Sequence, residues 1–265
     1  MIINNNKESG TIRIASWNVS GLRAIHRKGF TDFIKQNNFN IVCLQEPKIP
    51  QEKIPQDLLY LEGYFSYFSA AERPGYSGVA IYSKIKPLQS GNSFGVLRFN
   101  DEGRVLWLVF KDFILFNTYM PNGGREMKRL DYKLDFYDSF LKYLECLIKD
   151  GRKVILTGDI NTAHKAVDLA RPKQNEKNTG FLPQERAWID RLIEAGFTDA
   201  FRFFNKEPCN YTWWDYKTRA RERNVGWRID YFFISKGLEK KVKQCSIMPD
   251  VIGSDHCPVY LEIFY

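Results

Sequence analysis

The chain has 265 residues, 44% of them hydrophobic, enough to bury a sizeable core, and no run approaches the roughly 18 apolar residues a membrane span needs. It carries 39 basic against 31 acidic side chains, a formal charge of +8, which favours an anionic partner such as nucleic acid. Five cysteines (Cys43, Cys146, Cys209, Cys245, Cys257) are odd in number and lack C-x-x-C spacing, which argues against a disulfide framework or a zinc site. With a polar start from Met1 to Gly10 that lacks a signal-peptide core, a cytoplasmic, reducing compartment is expected.

Ile12 to Trp17 alternates like a strand and stops at Asn18, with Gly21 as a turn signal beyond. Lys28 to Gln36 has helical spacing through Phe30, Phe33 and Ile34, and Ile41 to Leu44 is a buried strand ending at Gln45-Glu46. Val79 to Tyr82 follows Gly78. Val105 to Phe110 and Phe113 to Thr118 predict a hairpin around Lys111-Asp112, and its second strand runs out into Tyr119-Met120-Pro121-Asn122-Gly123-Gly124-Arg125. Arg129 to Lys149 places Leu130, Leu134, Tyr137, Leu141, Leu144 and Ile148 on one face of the longest helix, closed by Gly151. Val154 to Leu156 is a short strand leading into Thr157-Gly158-Asp159-Ile160-Asn161. Gln184 to Ala195 reads as a helix stopped by Gly196, and Trp227 to Ile234 as a strand. Near the end, Gly253-Ser254-Asp255-His256-Cys257-Pro258 sets one of three histidines beside an acid, which can fix its tautomer and charge.

Asn18, Glu46, Tyr119, Asn122, Asp159, Asn161 and His256 all lie where an apolar run gives way to a loop. If the strands point the same way, these polar ends converge on one rim, a common way to build a site. Each taken singly is equally a turn former. Glu46 and Asp159 are hard oxygen donors that, with Asn18 and Asn161, suit Mg²⁺, and the lack of a Cys/His cluster argues against zinc. His256 held by a carboxylate, with Tyr119, Asn122 and Arg125, could grip a phosphodiester whose charge grows in the transition state. Metal-assisted phosphodiester hydrolysis fits this set. Trp213 to Arg223 interleaves aromatics with cations, five counting Arg228 just beyond, which suits a loop lying on a nucleic-acid strand. The alternative is a solvated basic loop with its tryptophans turned into the core.

Taken together and in order, Ser16 to Ala24, Leu44-Gln45-Glu46, Tyr119 to Arg125, Thr157 to Asn161, Asn224 to Tyr231 and Gly253 to Pro258 resemble the exonuclease III family of abasic-site endonucleases. The resemblance implies a four-layer α/β sandwich of the DNase I type, two mixed sheets face to face with helices on the outer faces. Residues 12–265 would form one catalytic domain behind a short polar extension, 1–11. The implied activity is hydrolysis of the phosphodiester 5′ to an abasic site, leaving a 3′-hydroxyl, with 3′-phosphodiesterase and 3′→5′ exonuclease activity.

The resemblance also implies roles. Glu46 would be the main ligand of Mg²⁺, which Mn²⁺ could replace, with Asn18 and Asp255 nearby; Asp159 would position or deprotonate the attacking water beside Asn161 and Asn122. Asp230 would orient His256, and His256, Tyr119 and Asn161 would hold the scissile phosphate. Trp213, Trp227 and Ile229 would line a pocket for the extruded sugar. Arg23, Lys28, Tyr76, Arg104, Arg125, Arg129, Asn175, Asn178, Lys217, Arg219 and Arg221 would contact double-stranded DNA.

Three positions depart from the pattern. Ser20 stands where some relatives carry an acid, Lys217 where animal enzymes place an apolar wedge, and Trp213 is bulkier than the usual pocket residue. The long regulatory tail of the animal enzymes is missing, which suggests a prokaryotic repair enzyme, and no heptad seam argues against a monomer. The competing expectations are another phosphoesterase of the same superfamily, or a non-catalytic DNA-binding relative.

Overall fold

The computed structural model describes residues 10–265. The strands in chain order are β1 (Thr11–Asn18), β2 (Ile41–Gln45), β3 (Phe65–Ser69), β4 (Val79–Ser83), β5 (Gln89–Gly91), β6 (Val105–Val109), β7 (Ile114–Tyr119), β8 (Val154–Asp159), β9 (Phe197–Asp199), β10 (Trp213–Trp214), β11 (Gly226–Trp227), β12 (Asp230–Ser235), β13 (Val242–Ile247) and β14 (Val259–Phe264). The helices are α1 (Leu22–His26), α2 (Phe30–Asn37), α3 (Gln56–Leu59), α4 (Leu130–Lys149), α5 (Pro172–Asn175), α6 (Pro183–Glu194) and α7 (Ala200–Phe204). One six-stranded sheet runs β13-β14-β1-β2-β4-β3, a second runs β5-β6-β7-β8-β12-β9, and β10 pairs with β11 alone.

The period-2 alternation of each strand decides the layers. Ile12 and Ile14, Ile41 and Cys43, Val79 and Ile81 meet Leu106, Leu108, Leu115, Ile155, Phe232 and Ile234 in the core between the sheets. Their neighbours turn outward: Ala15, Trp17, Val42, Leu44, Ala80 and Tyr82 receive Leu22, Ile25, Phe30, Ile34 and Leu58 from α1, α2 and α3. Phe116, Val154, Leu156, Tyr231 and Phe233 receive Phe136, Tyr137, Phe140 and Leu144 of α4 and Trp188, Ile189 and Leu192 of α6. This is the expected α/β/β/α sandwich. Each fully buried large side chain contributes roughly 1.5–3 kcal/mol, so a one-residue slip of any central strand is strongly opposed.

Toward one end, the same inward-facing positions change from apolar to polar. They become Ser16 and Asn18 on β1, Gln45 on β2, Asn117 and Tyr119 on β7, Thr157 and Asp159 on β8, and Asp230 on β12. Gln45 Nε2 donates to Ser16 Oγ at 3.0 Å and, across the sheets, to Asn117 Oδ1 at 2.6 Å. Asn117 Nδ2 in turn donates to the Leu44 and Ala80 carbonyls at 3.0 and 2.8 Å. A buried network of this kind fixes how the sheets sit on each other, because breaking it strands polar groups.

β1 runs parallel to β2 and β7 parallel to β8, so Asn18, Gln45, Tyr119 and Asp159 reach the same rim. β12 and β14 run the other way, against β8 and β1, so Asp230 and His256 arrive where those strands begin. Asp230 lies directly opposite Asp159 in the ladder.

The structure corrects the reading of Trp227 to Ile234 as one strand. Trp227 belongs to the β10–β11 hairpin and β12 starts at Asp230, with Arg228 and Ile229 between them. Arg228 is buried, its Nε 2.8 Å from Asp168 Oδ1 and its Nη2 2.7 Å from Asp199 Oδ2, so it does not belong to the basic loop with which the sequence grouped it. Among the described residues no helix is long and apolar enough to cross a membrane.

Candidate active site

Glu46 leaves β2 with φ of 55°, a left-handed conformation that costs a residue of this type about 1–3 kcal/mol and needs its surroundings to hold it. They do: its N–H donates to the Gly78 carbonyl at 3.1 Å, and its carbonyl accepts from Gly21 N–H at 2.8 Å. Asn161 also has a positive φ, of 56°, in the turn after β8. Its N–H donates to Asp159 Oδ1 and its side-chain amide to the Met120 carbonyl, each at 2.8 Å.

Asn18 joins the two sheets at this rim, its Nδ2 donating to Glu46 Oε1 at 2.8 Å and to Asp159 Oδ2 at 2.9 Å. Its Oδ1 accepts from Ser20 N–H at 3.0 Å. Asn18 therefore turns its donor side to the carboxylates it was expected to assist as a ligand. On the far oxygen of Glu46 sits Lys48, Nζ to Oε2 at 2.6 Å, also 3.2 Å from Ser20 Oγ. Sequence reasoning missed Lys48. The available signal was a cation two residues beyond an acid at a strand end. Burial alone would raise the Glu46 carboxyl, but Lys48 and the Asn18 hydrogen bond more than offset it, and the group lies below its ordinary value.

His256 is buried beside this pair. Its Nδ1 bonds Asp230 Oδ2 at 2.9 Å, and that oxygen also accepts from Thr212 Oγ1 at 2.6 Å. Its Nε2 faces Asp159 Oδ2 at 3.8 Å. Burial alone would lower the imidazole, but Asp230 and then Asp159 hold it up at about 10, so at neutral pH both ring nitrogens carry protons. Asp159 moves the opposite way for an acid: burial, reinforced by the charge of Asp230, pushes it up to about 7.

Glu46, Asp159 and His256 each offer a ligand atom, all within 4.8 Å of one another. As an imidazolium His256 donates and does not ligate, which leaves two carboxylates. That set fits a hard cation completed by water and phosphate oxygens. Asp255 is not in this group; its Oδ2 accepts from Trp213 Nε1 and its Oδ1 from Ser254 Oγ, each at 3.2 Å.

Tyr119 is buried at the end of β7, and burial with the nearby charge of Glu46 keeps its hydroxyl protonated. Arg104 lies over its ring at 4.7 Å and donates to its carbonyl at 2.9 Å. Arg104, expected on phosphate, is only 3% exposed and joins Glu102, Tyr76 and Arg129 in one network: Arg104 Nε to Glu102 Oε2 at 2.6 Å, with Arg104 Nη2 and Arg129 Nη1 both on Tyr76 Oη, at 2.9 and 2.5 Å. Asn122 is exposed, and its Oδ1 accepts from Gly124 N–H at 3.0 Å.

The aromatic residues expected to receive the sugar do come together. Trp213 and Trp227 pair across β10–β11, with rings edge to face at 6.4 Å, and pack on Ala163, Leu169, Phe181 and Ile229. Trp213 also bridges His256 through the backbone. Trp214, by contrast, is buried, so the basic loop sends one tryptophan to the site and one to the core. Lys28, Lys217, Arg219 and Arg221 line a groove of about 940 Å³ that reaches Asp255. Arg221 is already bound to the Pro249, Val251 and Ser254 carbonyls. Arg23 donates to the Lys53 carbonyl, and Asn178 to Asn175 Oδ1, all near the surface. The side chain of Arg125 lies outside the described residues.

The model of the endonuclease/exonuclease/phosphatase family matches residues 15–256. The chain is 44% identical to the exodeoxyribonuclease of Bacillus subtilis (strain 168), covering 95% of this chain and 99% of that one, and 40% identical to the DNA repair nuclease APEX1 of Danio rerio, covering 96% and 82%. Among solved structures it is similar to the AP endonuclease LMAP of Leishmania major (30% identity, TM-score 0.87, 96% and 88% covered) and to the Neisseria 3′ phosphatase NExo bound to a product DNA hairpin (26% identity, TM-score 0.88, 96% and 100% covered). With the match spanning both sheets and every residue of the Glu46–Asp159–His256 group, this chain belongs to the endonuclease/exonuclease/phosphatase family.

Proposed function

We propose that the protein is a Mg²⁺-dependent DNA repair endonuclease that cuts double-stranded DNA 5′ to an abasic site, with 3′-phosphodiesterase and 3′→5′ exonuclease activity on the same centre. The observation that carries this reading is the buried chain Asp230–His256–Asp159–Asn18–Glu46, which sets an imidazolium and a near-neutral carboxyl face to face. The protonated Nε2 of His256, with Tyr119 and Asn161, would hold the phosphate oxygens where charge develops. Asp159, poised near neutrality, would take the proton of the water whose oxygen bonds to phosphorus as the P–O3′ bond breaks. Glu46, with Asp159, would hold Mg²⁺, which neutralises charge on the phosphoryl group when bound. The basic groove, through Lys217 and Arg219, supports a phosphate-backbone partner, and the aromatic wall beside His256 supports an extruded sugar.

The test is a labelled duplex holding one abasic-site analogue, incubated in Mg²⁺ and in EDTA beside a duplex with an intact base. A single Mg²⁺-dependent cut on the 5′ side, leaving a 3′-hydroxyl, is expected. Binding without cutting would favour a silent DNA-binding relative; neither would send the search to small phosphoesters.

A further inference from the structure

Three separate loops supply the aromatic wall, and two buried ion-pair clusters stand behind them. Lys133 and Glu185 are both fully buried, Nζ to Oε1 at 2.6 Å. Lys133 also donates to the Asn161 carbonyl and Thr162 Oγ1, at 2.8 and 2.9 Å, clamping the turn after Asp159. Glu185 accepts from Thr179 Oγ1, Gly180 N–H and Leu182 N–H, at 2.7, 2.6 and 2.9 Å, clamping the loop that carries Phe181. Gly180 sits so near Trp227 that a Cβ there would lie 3.2 Å from the indole, and its carbonyl accepts from Ala163 N–H at 2.8 Å.

The second cluster holds the opposite side. Arg228, between the wall residues Trp227 and Ile229, pairs with Asp168 and Asp199, and Arg202 adds a second cation on Asp168 at 2.7 Å. The backbone follows: Arg228 N–H donates to the Asp168 carbonyl at 2.7 Å, and Leu169 bridges Trp227. Buried ion pairs are weak sources of stability, because desolvation offsets most of their attraction, whereas leaving either partner unpaired is costly, so each pair favours the arrangement that satisfies both.

We infer that Lys133–Glu185 and Arg228–Asp168–Asp199 are positioning groups that set the preference for a base-less nucleotide by holding the wall of Phe181, Trp213, Trp227 and Ile229 at one width. The inference rests on the abasic-site reading above. None of the clamp residues faces the reacting phosphate; each acts through backbone that carries a wall residue or Asn161. Slackening the wall would admit a nucleotide that keeps its base and would misplace the smaller sugar.

The experiment measures kcat/KM on the abasic-analogue duplex and on the same duplex with an intact nucleotide at that position, for the parent, Arg228→Lys, Asp199→Asn and the double variant Lys133→Met, Glu185→Gln. Asp199→Asn keeps the oxygen that caps α7 through Arg202 N–H and leaves Arg228 its Asp168 partner, which makes it an independent probe of the cluster should Arg228→Lys fail to fold. The ratio of the two kcat/KM values is expected to fall about tenfold or more, the scale on which a small misplacement acts, with KM for the analogue rising more than kcat falls. A ratio equal to the parent's in variants of unchanged Tm would overturn the inference, as would equal proportional losses on both duplexes. Failure of the parent to cut the analogue would overturn the abasic-site reading itself, and this inference with it.

Discussion

His256 is a donor because of its burial between two carboxylates, and that makes its charge measurable. Burial would lower it, yet Asp230 and Asp159 raise it from an ordinary 6.5 to about 10. A raised histidine stabilises the fold fully below about 6.5 and loses that contribution as pH rises through about 10. The urea midpoint of the parent should therefore fall more steeply over that window than that of His256→Gln; parallel curves would mean that the imidazole is not held as a cation. His256→Ala should lower kcat by about 10²–10³, the usual cost of a missing charge-stabilising donor, with DNA affinity little changed in a binding titration. Parent-level turnover would remove it from the chemistry. Of the residues that the strand-end pattern singled out, Asn18, Glu46, Asp159 and His256 meet at one rim, because a motif at a strand end is local, whereas Asn122 is exposed and bonded to Gly124 in its own turn. Lys133 and Glu185 were illegible. Their partners lie in other elements, and a lysine in a helix such as α4 reads as a surface residue until Glu185 and Thr162 are seen to enclose it.

At the scale of elements, the approach of β7 to β8 depends on one backbone position. Gly158 has φ of 131°, and a Cβ there would lie 1.9 Å from the Thr118 carbonyl oxygen, in the pair of strands that deliver Tyr119 and Asp159. Gly158→Ala should destabilise the protein by roughly 3 kcal/mol or more, since both strain and overpacking act, read as a shift of the denaturant midpoint. A shift within about 0.5 kcal/mol, the range of an unconstrained surface change, would mean that the strands part freely. The central strands were legible from their apolar runs, and α2, α4 and α6 from their 3.6 period. The edge strands β3, β5, β9 and β13 were not, because one is three residues of mixed exposure and another, Val242–Ile247, leaves two polar residues exposed at its centre. Trp227 to Ile234 looked continuous because Arg228 and Ile229 keep the strand alternation while the pairing partner changes.

For the whole molecule, the formal charge of +8 pointed to an anionic partner but not to a face of the protein. The groove beside Asp255 supplies the face, and Lys217 lies exposed on it. Lys217→Ala should weaken DNA binding and reduce the slope of log K against log salt by about 1; an unchanged slope would mean that Lys217 does not reach phosphate. What composition could not reveal is that Arg104, Arg221 and Arg228, indistinguishable from phosphate contacts in the sequence, are each committed to protein partners, because commitment depends on which carboxylate or carbonyl the fold brings within reach.

The most direct measurement on the central claim is single-turnover cleavage of the abasic-analogue duplex by the parent and by Asp159→Asn, with binding followed on the same DNA. The substitution keeps the size of the side chain and an oxygen to accept from Asn161 N–H, gives up the bond accepted from Asn18 Nδ2, and removes the proton acceptor. We expect the cut 5′ to the lesion to slow by about 10²–10⁴, the range assigned to a lost general base, while the affinity stays near the parent's. Cleavage by Asp159→Asn at the parent's rate would contradict the proposed chemistry and leave the buried chain from Asp230 to Glu46 as a purely structural feature.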